Sequence, residues 1–107
     1  MTPADYAKEL TATAEAMLEG RLHLIEGCRV ICGLCHGVED PGNRLFHPII
    51  AAESDTDHFV LGKVRDNCEA EYLRRKDAEL EKYLANARED ILKCCREIIQ
   101  TYGERSA

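Results

Sequence analysis

The chain contains no apolar run approaching the ~18–20 residues that a membrane-spanning helix requires. It also lacks a basic excess. Its 20 acids outnumber its 14 lysines and arginines, for a net charge of -6. Binding phosphates needs a basic footprint, so nucleic acid is a poor partner. An acidic surface suits solubility, or a basic protein partner. The start carries charges at Asp5, Lys8 and Glu9 with no apolar segment beside them, so no secretory signal is expected there. No phosphate-binding loop, internal repeat or low-complexity stretch is present. No nucleophile–base pair stands out, so the chain reads as a non-enzyme. At 107 residues it should be one domain with one core.

Glycine and proline are absent from Glu69 to Tyr102, and that absence allows one unbroken helix. Its apolar residues fall at Leu73, Leu80, Leu84, Ala87, Ile91, Cys94 and Ile98, the stripe of a helix that buries one face. Asp77 fills the one gap in that stripe, and a buried acid there calls for a partner such as Arg65 or His58. A helix of this length spans about 50 Å and sets the long axis. Asp66 or Asn67 is placed to cap it, and Gly103 to end it.

A second helix is expected from Pro3 to about His36. Thr2 caps it, Pro3 suits its first position and Asp5 completes the cap. Apolar residues recur at Tyr6, Leu10, Met17, Ile25, Cys28, Ile31, Cys32 and Cys35. Gly20 marks a point for a kink, Gly37 for the end, and Pro41-Gly42-Asn43 for a turn. Between the long helices, Arg44 to Ala52 is apolar but short, and Pro48 pushes His47 toward extended geometry. This crossover should be ordered, pinned by Phe46, Ile49, Ile50, Phe59 and Leu61, with Phe46, Ile49, Ile50 and Phe59 mostly buried. The expected fold is all-α: two long antiparallel helices whose crossover, with one or two short helices, completes a small bundle. A second copy of the chain could complete the core as a homodimer.

Six cysteines invite a metal reading. Cys32-Gly33-Leu34-Cys35-His36 matches the C-x-x-C-H pattern of haem attachment, for which Met17 would be a distal ligand. Zinc could draw on Cys28, Cys32, Cys35, His36 and Cys68. Against both, Cys28, Ile31, Cys32 and Cys35 follow helical i, i+3, i+4, i+7 spacing, as core residues do. Cys94 and Cys95 are expected to lie far from the other four. The reading taken is reduced thiols in a cytoplasmic protein, with no cofactor; a metal or haem protein built on Cys28, Cys32, Cys35 and His36 is the alternative.

The densest polar cluster outside the helices is Glu53, Asp55, Asp57 and His58. The crossover from Gly37 to Cys68 holds six acids against three bases, whereas the long helix is nearly balanced at eight to seven. Glu53, Asp55 and Asp57 are therefore the candidate partner-binding residues, facing a basic surface. Ser54, His58, Asp77 and Arg65 are expected to structure the loop.

The pattern Glu53-Ser54-x-Thr56-Asp57-His58-x-x-x-Gly62-x-x-Arg65, followed by Arg75-Lys76-Asp77-Ala78-Glu79, resembles an uncharacterised family of small bacterial all-helical proteins. Those proteins carry an S-x-T-D-H-x-x-x-G loop and then a long helix with R-K-D-A-E. The resemblance covers roughly Leu24 to Tyr102, and it departs at Phe59-Val60, where the family has proline after the histidine. It implies a compact helical fold without established enzymatic activity. By analogy of class, small acidic proteins of this kind serve bacteria as immunity proteins against toxins, so the expected partner is a basic toxin domain.

Overall fold

Local capping decides where the first helix begins and where it stops. In the structure, a computed structural model describing residues 1–40, 44–59 and 61–106, helix α1 runs Pro3–Leu18. The Thr2 N–H donates to Asp5 Oδ2 at 2.9 Å and the Asp5 N–H to Thr2 Oγ1 at 3.2 Å, closing a capping box. These bonds hold the Asp5 carboxyl below the usual carboxylate range. The expected single rod to His36 does not form. Gly20 adopts φ +76, the Arg21 N–H bonds the Ala16 carbonyl and the Gly20 N–H bonds that of Met17. This is a Schellman ending, which glycine adopts without a Cβ penalty. Helix α2, Leu24–Leu34, restarts behind His23, whose Nδ1 accepts the Ile25 N–H at 3.1 Å, and a 3₁₀ turn follows at Cys35–Gly37.

The break turns the chain back on itself. In a straight rod Gly27 would lie about 15 Å beyond Met17. Instead Gly27 packs directly on Met17: a Cβ at position 27 would stand 2.3 Å from the Met17 sulfur. Both residues are buried, so Gly27→Ala should lose about 1–3 kcal/mol to overpacking, offset by about 1 kcal/mol of helix propensity, and should not be stabilising. A urea midpoint raised above the parent's would contradict that contact.

Helix α4, Ala70–Ser106, runs antiparallel to α1, because Gly103 lies beside Thr11 while Cys95 lies 3.7 Å, sulfur to sulfur, from Met17. It buries Leu80, Leu84, Ile91, Cys94, Cys95, Ile98 and Tyr102. Leu73 and Ala87 are only half-buried. The helix end expected at Gly103 does not occur, and α4 continues through it. Packing of α4 on α1 and burial of Tyr102 outweigh the ~1 kcal/mol helical cost of one glycine. Nor do Asp66 and Asn67 stand at the helix start. They belong to a 3₁₀ turn at Gly62–Asn67, and Cys68 is extended before α4 begins.

The crossover contains helix α3, His47–Asp55. Pro48 lies in its first turn, where a missing N–H costs nothing. Phe46, Ile49, Ala52, Thr56 and Phe59 are buried, which joins the crossover to the core. Ile50 corrects the expectation, at 43% exposure. The core face of α3 passes through 46, 49, 52 and 56, and residue 50 points about 100° away from 49. Tyr102 closes the far end: its ring stacks on Phe46 at 5.9 Å and its hydroxyl donates to the Glu39 carbonyl. The Cys94 thiol reaches the Leu45 carbonyl at 3.0 Å. The molecule measures 45 × 26 × 23 Å. The described residues form four α-helices and no strand. The turn expected at Pro41-Gly42-Asn43, and Val60, lie outside the described residues.

Candidate functional site: an acidic edge at the end of helix α3

The acidic cluster occupies the last turn of α3 and the residues just after it. Asp55 and Asp57 are exposed and Glu53 is half-buried. Burial raises the Cys28 and Cys32 thiols of α2, and the Glu53 charge adds to that rise. Asp55 Oδ2 accepts the Tyr83 hydroxyl from α4 at 3.2 Å, and burial, with this acid behind it, pushes the Tyr83 phenol up. Glu53 and Asp55 thus stand at the negative end of a helix whose last turn contains no basic residue. Carboxylates are unfavourable there.

The segment that bears these acids is held from beneath. Thr56 is fully buried, its hydroxyl donates to the Ala52 carbonyl at 2.6 Å, and its N–H caps the helix on the Ala52 and Glu53 carbonyls. The Phe59 N–H closes the turn onto the Thr56 carbonyl. Arg29 of α2 completes the clamp: its Nη2 donates to the carbonyls of Thr56 and Phe59, each at 2.9 Å. Sequence reasoning missed both residues. Thr56 reads as one more turn former, and Arg29 lies 27 positions upstream with no local signal.

The expected loop-structuring residues are distributed as follows. Ser54 is exposed on α3. His58 is exposed, tilts against Phe59 at a centroid distance of 4.2 Å and stands 3.9 Å from Asp57. Arg65 and Asp77 form a two-pronged pair, Nη1–Oδ1 and Nη2–Oδ2 both 2.8 Å. Asp77 is therefore not the buried acid its place on the stripe suggested; its side chain is 48% exposed. The Arg65 guanidinium bonded to it holds its carboxyl below the ordinary value. A cleft of 370 Å³ opens beside the pair, with His23, Glu26 and Glu81 on its walls. The His23 Nδ1 on its wall is already engaged by the α2 backbone, accepting the Ile25 N–H.

Five of the six cysteines, Cys28, Cys32, Cys35, Cys94 and Cys95, pack in the core or against it. Among the described residues no three or more His, Cys, Asp or Glu side chains converge where a metal ion could sit, so the set Cys28, Cys32, Cys35, His36 and Cys68 is not assembled. Cys94 and Cys95 are expected far from the other four, but the fold-back of α2 brings them near Cys28, whose thiol is raised by burial first and by these neighbours second. Burial pushes Cys28 and Cys94 up to about 12, and Cys32 and Cys95 to about 11. Unfolding returns each toward the model-peptide thiol range. Folded thiols therefore stay neutral where unfolded ones ionise. Their stabilisation is complete below about pH 9 and is lost as pH rises toward 12. Urea midpoints should be level from pH 7 to 8 and fall from pH 9 upward, less steeply in Cys94→Ala. A flat profile to pH 11 would contradict these buried positions.

Among its described residues the chain is thus all-helical, with four α-helices and an acidic edge on the third. Comparison with protein-family models, curated proteins and solved structures yields no match. Among the described residues no helix is long and apolar enough to cross a membrane.

Proposed function

We propose that this chain is a binding protein that uses Glu53, Asp55 and Asp57 to engage a basic protein, as an inhibitor of the immunity or antitoxin kind does. One observation supports the reading above the others. Two of the three carboxylates, Asp55 and Asp57, are exposed, at the end of a helix that repels them, on a segment fixed by buried contacts, with Asp55 bonded to the Tyr83 hydroxyl. An acid there is unfavourable in the free protein, and a cationic partner relieves that cost. The turn is ordered before binding, so little conformational freedom is lost on association. The net charge of -6 steers a basic partner toward the surface. Many proteins that attack nucleic acid have basic clefts, and a row of carboxylates can fill one. The reading includes no catalysis and no cofactor.

A photo-crosslinking residue in place of Ser54, which is exposed between the acids, tests this in the native host. The expected result is one dominant adduct with a basic protein, weakened by salt and absent when the crosslinker replaces exposed Ala85 on α4. The product of an adjacent gene is the first candidate for that adduct. Identical adducts from both positions would refute the acidic edge as the binding face.

A further inference from the structure

The acidic turn is held from outside as well as from within. Thr56 bonds back to the Ala52 and Glu53 carbonyls and its own carbonyl accepts the Phe59 N–H, while a further pair of bonds comes from Arg29 on another helix. We propose that Arg29 is a positioning residue for partner binding: by holding the Thr56 and Phe59 carbonyls together, it sets where the Asp57 carboxylate points beside Asp55. The inference rests on the acidic-edge reading above and adds the residue that would make that edge competent.

Three features of the geometry support it. The two carbonyls flank Asp57 and His58, so the guanidinium spans the base of the turn that displays them. The same nitrogen serves both, at 2.9 Å each, so the two ends of the turn cannot drift apart without losing a charge-assisted bond. Arg29 is half-buried, and it delivers a positive charge to the end of a helix that has no basic residue in its own last turn. A lysine keeps the charge and can donate to two carbonyls, but its shorter arm places the ammonium elsewhere and holds the pair less well.

The role separates from plain electrostatics by sign. Arg29→Gln makes the protein more negative, from -6 to -7 by removing one cation. Charge alone then predicts tighter binding of a cationic ligand, whereas loss of positioning predicts weaker binding. The probe is a hexa-arginine peptide, titrated at low salt against full-length protein. Wild type and three variants are compared: Arg29→Gln, Asp55→Asn/Asp57→Asn, and Glu89→Gln/Asp90→Asn, which removes equal charge from the exposed face of α4. Helical circular dichroism is followed throughout, and Arg29→Lys replaces Arg29→Gln should the latter unfold. The expected result is at least threefold weaker binding for Arg29→Gln, with an intermediate loss for Arg29→Lys and faster amide exchange at Phe59. Equal or tighter binding by the Arg29 variants would overturn the positioning role. If Asp55→Asn/Asp57→Asn matches the α4 control, the acidic-edge reading fails instead, whatever Arg29 does.

Discussion

Replacing Tyr102 with alanine should cost about 3–5 kcal/mol, a large part of the stability of a domain this small. The ring is fully buried near the end of α4 and stacks on Phe46, the first residue of the crossover core. Its hydroxyl also satisfies the Glu39 carbonyl. Alanine leaves a cavity between α4 and the crossover and removes that hydrogen bond at once. Tyr102→Phe separates the two effects: it keeps the ring and should lose only about 1 kcal/mol. Urea unfolding of both variants measures the difference. Equal losses in the two would mean that the hydroxyl, and not the stacked ring, closes this end of the molecule.

Tyr102 also illustrates what was legible in the sequence. The stripe on α4 identified most of its buried face, because a 3.6-residue period needs only local information. The end of that helix was not legible. Gly103 is a common stop residue, and the contacts that override it come from α1, more than ninety positions away. The first helix failed for the opposite reason. Gly20 looked like a kink within a rod, yet its positive φ ends α1 outright. Whether a glycine bends or terminates depends on what the following residues pack against, and here Gly27 packs back on Met17. That same fold-back brought Cys94 and Cys95 near Cys28, which no spacing rule could show. In the site, the acids could be read as a charge imbalance. Their supports could not, since Arg29 reaches the turn only through tertiary structure.

The second large effect should separate stability from binding. Asp55→Asn/Asp57→Asn leaves isosteric side chains in place and removes two charges from the end of α3. The asparagine at 55 can still accept the Tyr83 hydroxyl. The free protein should melt at the same or a higher temperature, because carboxylates at a helix C-terminus oppose the macrodipole. Affinity for the basic partner should fall by about 2–5 kcal/mol if the charges become buried against cations in the complex. A pair of structural caps would behave the other way, losing stability and leaving binding unaffected.

The most direct test is therefore the dissociation constant for the partner crosslinked from position 54, measured for wild type and Asp55→Asn/Asp57→Asn, with thermal unfolding in the same buffer. The account predicts at least a thirtyfold weaker complex from a double variant whose melting temperature is undiminished, about 2 kcal/mol of lost affinity. Affinities within twofold of each other, or a loss of affinity that merely follows a loss of folded protein, would contradict it.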